Sequence, residues 1–175
     1  MRDLAEKWSV VPDWRVAAID APHLAVRTVS GLHQLIVSGD LAAWSRKSKL
    51  KGEGVGAFGH AGGGRYAVRL ARDRLLAVSD AALKVPQGWH AEGFGVTEVG
   101  AGLHVFEIEG AADDLLARGT TLDPDKGSAS AALLLAGVGA VVYRHEDRTR
   151  VHVDRALAPY LWKWMETAAG HIAGA

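Results

Sequence analysis

A glycine-rich segment carries the first residue spacing in this chain that could do chemistry. Gly54, Gly56 and Gly59 match G-x-G-x-x-G, a pattern in which a strand leads into a glycine turn and a helix N-terminus binds a pyrophosphate. Here the pattern follows the basic run 46–51 and continues into three more glycines at 62–64, which disfavour a helix. We therefore interpret Gly52 to Gly64 as a mobile loop rather than a dinucleotide site.

Metal-ligand spacings are the second kind of signal. Asp123 to Gly127 resembles the start of a calcium loop, but the twelfth position, which should supply a bidentate glutamate, is Leu134. We therefore expect a turn there. The eight histidines include no HExxH motif and no i, i+4 pair, and this scatter argues against a zinc site.

The remaining charged clusters have simpler interpretations than catalysis. His145 to Asp147 is expected in a hairpin turn as a solvated cluster. Asp113 and Asp114 are expected to favour the positive end of a helix. No serine occupies a G-x-S-x-G elbow. The sequence thus predicts no catalytic, cofactor-binding or metal-binding residue on this chain.

Composition limits the possible partners. The chain has 175 residues, is 49% hydrophobic, and carries 20 basic and 20 acidic side chains, so one full core is expected and nucleic acid is not. It has no cysteine, which excludes a disulfide, a thiolate nucleophile and a Cys-ligated metal centre. The longest apolar stretch, Ala131 to Tyr143, is short and interrupted by glycine. We expect a cytoplasmic protein without a membrane partner.

The elements that must position any site occur twice in the same order. Each copy has an apolar strand, a glycine, a helix and a charged hairpin. The strands are Gln34 to Val37 and His104 to Glu109, the helices Leu41 to Lys47 and Ala111 to Arg118, and the hairpin strands Leu75 to Ser79 and Thr149 to Val153. The pattern predicts an α+β fold of internally duplicated strand-helix-hairpin units, with mostly antiparallel sheets flanked by helices. We expect a single domain over 1–175 with pseudo-repeats at about 24–90 and 93–169.

Other elements follow from local signals. Met1 to Asp20 is expected to be an irregular arm whose Trp8, Val10, Val11 and Trp14 cover the domain surface. Asp40 is a suitable N-cap for a helix through Ser48, and Pro86 allows only a shortened helix between Asp80 and Glu92. A strand is predicted at Tyr66 to Leu70, and Gly95 to Val99 is expected to pair with His104 to Glu109. The helix that starts at Ala111 is expected to end at Gly119. Buried central strands are predicted at Ala131 to Leu135 and Ala140 to Arg144.

The last helix contains an aromatic cluster. With Asp154 as N-cap, Leu157, Leu161, Trp164 and Ala168 form one apolar stripe, and Trp162 lies off its centre. Such a tryptophan either covers a neighbouring loop or contacts a partner. Pro159 requires a bent first turn or a helix start nearer Ala158.

Two motifs in the second half carry a family resemblance. Leu115 to Asp123 reads L-L-x-x-G-x-x-L-D, and Tyr160 to Trp164 reads Y-L-W-x-W. With the strands around them, from 95 to 169, these motifs resemble the gamma subunit of heterotetrameric sarcosine oxidase; the first half matches more loosely. Thr120 stands where that family usually has cysteine, and the helix after Asp80 is shortened.

The resemblance implies a fold and a role. The fold would be that of the folate-binding domain of aminomethyltransferases. The role would be that of a small non-catalytic subunit in a complex that demethylates sarcosine oxidatively to glycine with tetrahydrofolate and oxygen. It would act in assembly or stability, with alpha, beta and delta subunits as partners holding the flavins, NAD and folate. The departures leave open a paralogue serving another N-methyl amine oxidase.

Three hypotheses follow from these observations. The first is the accessory subunit, with Trp162, Tyr160 and Phe58 of the glycine-rich loop as interface candidates. The second is a free-standing folate or small-molecule binding domain related to aminomethyltransferases. The third, which the motifs favour least, is an enzyme in its own right.

Overall fold

The structure is a computed structural model that describes residues 11–50 and 53–172. Within these residues, twelve strands and three α-helices make an α+β fold. The strands are β1 Ala18–Ala21, β2 Leu24–Val29, β3 His33–Gly39, β4 His60–Ala61, β5 Arg65–Ala71, β6 Arg74–Ser79, β7 Gly88–His90, β8 Phe94–Glu98, β9 Leu103–Gly110, β10 Ala132–Leu135, β11 Val138–His145 and β12 Arg148–Asp154. The helices are α1 Leu41–Ser48, α2 Ala112–Leu116 and α3 Ala158–Ala169. None of the helices within the described ranges is long and apolar enough to cross a membrane.

The strands form two sheets. The large sheet has the order β1-β2-β9-β12-β11-β10, and β4 pairs in parallel with β11 beside it. The small sheet has the order β5-β6-β3-β8-β7. The ladders within both orders are antiparallel.

The two sheets share one connectivity with a strand exchanged between the halves of the chain. In the large sheet β9 lies between β2 and β12, and in the small sheet β3 lies between β8 and β6. The first half therefore contributes β2 to the sheet of the second half, and the second half contributes β8 to the sheet of the first. The hairpins β1-β2 and β7-β8 end the two sheets in the same way.

Two equivalent glycines mark this pseudo-twofold relation. Gly39 ends β3 at φ +104°, and the next residue, Asp40, donates its backbone N–H to the carbonyl of Gly93 at 2.9 Å. Gly110 ends β9 at φ +84°, and Ala111 donates in the same way to His23 at 2.8 Å. A side chain on either glycine would overlap that carbonyl oxygen. The glycine after each strand is therefore required for the exchanged strand to approach.

The sheets pack face to face, with helices on the outer faces. The α2 and α3 helices cover the large sheet over a core that includes Phe106, Ile108 and Leu161. The α1 helix covers the small sheet through Trp44. A third cluster lies between the sheets and includes Val68. The inner strands β6 and β12 are thus buried on both faces.

Local signals placed α1 and the β5-β6 hairpin of the first half correctly. Asp40 caps α1 by accepting the backbone N–H of Ala43 at 2.8 Å, as expected of an N-cap. The β5-β6 hairpin closes around Arg72 and Asp73, as predicted. The predicted arm is described only from Val11; Met1 to Val10, including Trp8, lies outside the described residues.

Three predicted elements were wrong. Gly95 to Val99 does not pair with His104 to Glu109, because β8 and β9 belong to different sheets and their short turn crosses between them. No helix lies between Asp80 and Glu92, where β7 pairs with β8 instead. The β10 strand is an edge strand rather than a central one, and its Leu134 is exposed.

The predicted helix at Ala111 is shorter than expected. The α2 helix ends at Leu116, before Gly119. A side chain at Gly119 would overlap Trp164 and Leu135, so this glycine allows close packing and does not act as a left-handed helix cap.

The α3 helix begins later than Asp154 predicts. Asp154 caps a 3-10 turn, Arg155–Leu157, and α3 begins at Ala158 with Pro159 in its first turn, where a missing N–H costs nothing. The helix is therefore rotated from the predicted register, Leu157 is 39% exposed, and Trp164 is only partly buried. The buried stripe is Ala158, Leu161, Trp162, Met165, Ala168 and Ala169.

Candidate functional site

Trp162 covers the core instead of facing outward. It is only 4% exposed, and Trp14 of the arm lies edge-on against it with ring centroids 5.7 Å apart. Its indole N–H donates to Glu166 at 3.1 Å. Of the two interpretations of this residue, the structure shows coverage by a neighbouring segment of the same chain, so Trp162 offers no exposed surface to a partner.

Phe58 is buried as well, because the glycine-rich loop is packed. The loop forms bridges through Val55 and Ala57, and β4 follows. Gly56 lies where any side chain would overlap the Ser128 carbonyl. These glycines allow close backbone contact within the domain, which corrects the expectation of a mobile loop over the residues from Glu53; Gly52 lies outside the described residues.

The other sequence motifs form local structure. Asp123 closes a turn by accepting the backbone N–H of Asp125 at 3.0 Å, as predicted. Asp113, in the first turn of α2, pairs with Arg144 at 2.9 Å. Glu146 accepts the backbone N–H of Gly63 at 3.2 Å. Within 11–50 and 53–172, no three histidine or acidic side chains are placed to hold a metal ion.

Among residues 11–50 and 53–172, two aromatic side chains are exposed and remain for contact with another molecule. Tyr160 is 52% exposed beside the exposed Leu157, and its hydroxyl donates to the Ala136 carbonyl at 2.8 Å. Trp89 is 74% exposed on the edge strand β7 and lies over Gly95. The sequence analysis did not single out Trp89, because the helix expected there concealed its place on a sheet edge.

A chain of buried polar side chains joins the two sheets. Arg150 donates to the Tyr66 hydroxyl at 2.6 Å, and the Tyr66 and Tyr143 hydroxyls are 2.8 Å apart. The Tyr143 hydroxyl lies 2.7 Å from His152 Nε2, and His152 Nδ1 lies 2.6 Å from Gln34 Oε1. Tyr66 and Gln34 belong to the small sheet, and the other three belong to the large sheet.

The donors and acceptors give this chain one direction. Arginine only donates, so the Tyr66 oxygen accepts from Arg150; Tyr143 uses its own proton on His152, so the Tyr66 hydroxyl donates to Tyr143. Gln34 Oε1 only accepts, so His152 carries its proton on Nδ1, and Nε2 accepts from Tyr143. Each contact along the chain thus pairs one donor with one acceptor, and the imidazole is neutral.

Burial controls the ionisation of these groups. Desolvation, aided by Arg150, lowers the pKa of His152 to about 3. Desolvation raises the pKa of Tyr66 and, more strongly, that of Tyr143. The pKa of Glu107 is lowered because hydrogen bonds from Arg148 and Arg150 outweigh its own desolvation. The network is therefore a neutral chain anchored on one ion pair, Arg150 Nε to Glu107 Oε1 at 2.9 Å.

The network breaks the pseudo-twofold symmetry. Val26 pairs with Ile108 in the large sheet, and Val96 pairs with Val37 at the equivalent place in the small sheet. When these two pairs are matched, each residue of one sheet has a counterpart in the other. The six polar members all have apolar counterparts. The pairs are Glu107 with Ile36, Arg150 with Leu76, His152 with Val78, Tyr143 with Val68, Tyr66 with Val141, and Gln34 with Val105. The two halves thus bring different chemistry to one shared interface.

The sequence held a weak signal for this network. Arg150 and His152 alternate with Val151 and Val153 in a strand that is buried on both faces. Alternation of this kind usually indicates a solvated face. Only knowledge of the second sheet could show that this face is covered.

Comparison with known proteins gives a fold relationship. No family model matches the chain, and no curated protein matches its sequence. Its structure is similar to a chain in the structure of heterotetrameric sarcosine oxidase from Corynebacterium sp. U-96 in complex with pyrrole 2-carboxylate, with a TM-score of 0.70 and 18% identity. The match covers 87% of this chain and 86% of that chain. The two chains share a fold.

Proposed function

We propose that this chain is a small accessory subunit of a sarcosine oxidase-like complex, corresponding to the gamma subunit and acting in assembly or stability. Alpha, beta and delta partners would carry the flavins, NAD and folate and would convert sarcosine to glycine with tetrahydrofolate and oxygen. The fold would be the one found in the folate-binding domain of aminomethyltransferases. The observation that carries the proposal is the structural match to a chain of heterotetrameric sarcosine oxidase.

The coverage of the match supports a small subunit. Nearly equal shares of both chains are aligned, 87% and 86%, so the matched chain is about as long as this one. The similarity is therefore to a whole small chain and not to one domain of a much larger polypeptide.

The sequence motifs support the same assignment through their positions in the fold. L-L-x-x-G-x-x-L-D spans the end of α2, where Gly119 packs against Trp164. Y-L-W-x-W supplies Leu161 and Trp162 to the core under α3. The two motifs thus pack against each other through Gly119 and Trp164.

The exposed aromatic residues are the candidates for partner contact. Tyr160 and Leu157 lie on the α3 side of the large sheet, and Trp89 lies at the edge of the small sheet. Aromatic side chains of this kind contribute strongly to interfaces when they become buried. We assign partner contact to these side chains in place of the buried Trp162 and Phe58.

The test is recovery of the tagged chain from extract of its native cells, followed by mass identification of the co-purifying chains. An absorbance spectrum and an assay of sarcosine-dependent peroxide formation on the eluate complete it. The proposal expects larger subunits, a flavin spectrum and activity. A colourless, solitary chain would contradict it.

Variants then locate the interface. Tyr160→Ala and Trp89→Ala should reduce recovery of the partners without unfolding the chain. Tyr160→Phe separates the loss of the ring from the loss of the hydroxyl bond to Ala136. Trp162→Ala is unsuitable as an interface probe, because it opens a cavity in the core. If neither alanine variant changes recovery, the assignment of these two sites is wrong.

The alternative of a free-standing folate or small-molecule binding domain stays a prediction. Titration of the purified chain with tetrahydrofolate measures it directly. Saturable binding by the isolated chain, together with failure to recover larger subunits, would favour that alternative over the accessory subunit.

A further inference from the structure

The backbone arrangement does not by itself decide which halves of the chain join. The first half ends at Pro86, and the second half begins at Gln87. The β2 and β8 strands occupy equivalent places, and each is given to the sheet of the other half. The glycines that receive them, Gly110 and Gly39, make equivalent contacts. Two copies of the same half could therefore exchange strands with each other in the same arrangement.

The apolar part of the shared interface does not decide the pairing either. Val68, Leu76 and Val78 of the first half lie between the sheets and are fully buried. Val141 of the second half packs against the same cluster. Because the hydrophobic effect has no direction, these aliphatic side chains suit a pair of like halves as well as a mixed pair.

Three hydrogen bonds of the polar network cross from one half to the other. Arg150 and Tyr143 of the second half bind the Tyr66 hydroxyl of the first half at 2.6 and 2.8 Å. His152 of the second half binds Gln34 of the first half at 2.6 Å. The first half thus supplies two members of this set, and the second half supplies the other three.

A pair of second halves would leave the network incomplete. The places of the two first-half members would be taken by their counterparts, Val141 and Val105. Arg150 and Tyr143 would then face Val141, and His152 would face Val105. The buried donors on Arg150 and His152 would have no acceptor there, and an unmade bond of a buried donor costs more than the native bond contributes.

A pair of first halves would be incomplete in the same way. The counterparts of Tyr143, Arg150 and His152 are Val68, Leu76 and Val78. The hydroxyl of the first-half tyrosine would then face a valine and a leucine, and the amide of the first-half glutamine would face a valine. All three crossing bonds therefore form in the mixed pair, and none of them forms in a pair of like halves.

We propose that the polar network is a specificity element, which selects the joining of a first half to a second half over the joining of two like halves. A buried polar group adds little net stability, but it favours the arrangement that satisfies it. The role concerns this chain alone, so it and the accessory-subunit proposal can fail independently.

The test lets mixed and like pairs compete on equal terms. A protease site is inserted between Pro86 and Gln87, which are both exposed, and the full chain is folded and then cut. The cut protein is unfolded in urea and refolded by dilution, and native mass spectrometry counts the three kinds of pair by mass. We expect mixed pairs to exceed like pairs about tenfold or more. Equal amounts, which random association gives, would overturn the proposal.

An apolar variant then tests whether the network is the cause. It replaces the network residues that cross the interface by apolar residues of similar size, while Glu107 keeps its ion pair with Arg148 at 2.9 Å. The substitutions are Gln34→Leu, Tyr66→Phe, Tyr143→Phe, Arg150→Met and His152→Leu. The ratio of mixed to like pairs should fall about tenfold or more. An unchanged ratio would overturn the proposal.

A single substitution keeps the test valid if the apolar variant does not fold. Tyr66→Phe removes two of the three crossing bonds with little change of shape, and the ratio should again fall about tenfold. Tyr160→Phe is the matched control, because its hydroxyl binds Ala136 within the second half, and its ratio should equal that of wild type. Equal ratios in the two variants would contradict the proposal.

The uncut chain gives the same comparison if the cut protein does not refold. Like halves of uncut chains can pair only between two molecules, so like pairing appears as a dimer. On refolding, Tyr66→Phe should form dimers at a concentration about tenfold lower than Tyr160→Phe does. Equal dimer fractions at every concentration would overturn the proposal.

Discussion

The neutral state of His152 predicts a specific loss of stability in mild acid. An unfolded histidine has a pKa near 6.5, and the folded pKa is about 3. The unfolded chain therefore binds a proton first as the pH falls, and the folded state loses stability from pH 6.5 downward. Between pH 7 and pH 5 this histidine alone should lower the free energy of unfolding by about 2 kcal/mol.

His104 adds a second contribution in the same range. Desolvation and the nearby Arg155 lower its folded pKa to about 4. Its ring is less enclosed than that of His152, so the loss between pH 7 and pH 5 should be smaller, about 1 kcal/mol. The pKa of Glu107 is lowered, so it stays ionised in this window and the Arg150 ion pair persists. Together the two histidines predict a loss of about 3 kcal/mol, which is a large part of the stability of an ordinary domain.

The substitution His152→Gln isolates the first contribution. A glutamine amide can donate to Gln34 and accept from Tyr143, but it does not titrate. We expect the variant to lose about 2 kcal/mol less than wild type between pH 7 and pH 5. The measurement is urea unfolding at pH 7, 6 and 5, followed by tryptophan fluorescence.

Two results would refute this reasoning. One is an unchanged pH slope in His152→Gln. The other is an imidazole nitrogen spectrum in which folded His152 is protonated at pH 5. The spectrum uses the wild-type chain, so it decides the question even if the variant folds poorly. Neutral His152 with Nδ1 protonated is the expected observation.

Three further sets of substitutions test the packing and the caps. Gly39→Ala should lower the free energy of unfolding by about 3 kcal/mol or more, because the new methyl group overlaps a carbonyl oxygen and the residue has positive φ. Gly137→Ala, which is also at positive φ but lies in open space, should lower it by about 1–2 kcal/mol. Thermal unfolding of both variants measures the difference. Glu107→Gln removes the carboxylate that binds two arginines and should lower the free energy of unfolding in urea by about 1.5–3 kcal/mol. A loss below about 0.5 kcal/mol would show that the ion pairs contribute little. Asp40→Ala should cost about 1 kcal/mol, Asp40→Asn should restore most of it, and equal losses in both would contradict the capping role.

Sequence reasoning succeeded where structure is decided locally. The α1 helix was predictable from Asp40, and the β5-β6 hairpin from its charged turn at Arg72, because caps and turns act within a few residues. The order of elements in the two halves was also readable, since the glycine after each central strand keeps its place at Gly39 and Gly110.

The same reasoning failed where a distant segment decides the outcome. A short turn at Gly100 looked like a hairpin, but its strands join different sheets because β2 and β3 already occupy the neighbouring positions. The sequence left open whether Trp162 covers a loop or contacts a partner, and the arm residue Trp14, far away in sequence, lies edge-on against it. The polar network could not be predicted for the same reason, since Gln34 and His152 meet only when the sheets stack.

The exchanged strands also affect how the chain can be synthesised and folded. As the chain leaves the ribosome, β1 and β2 appear early, but β9, the strand that receives them, ends only at Gly110. The small sheet likewise waits for β8 before β3 has both neighbours. Neither half can complete its own sheet during synthesis, so assembly depends on contacts between residues far apart in sequence, which are slow to form. Two fragments separated between β6 and β7 should accordingly remain unfolded apart and regain structure when mixed.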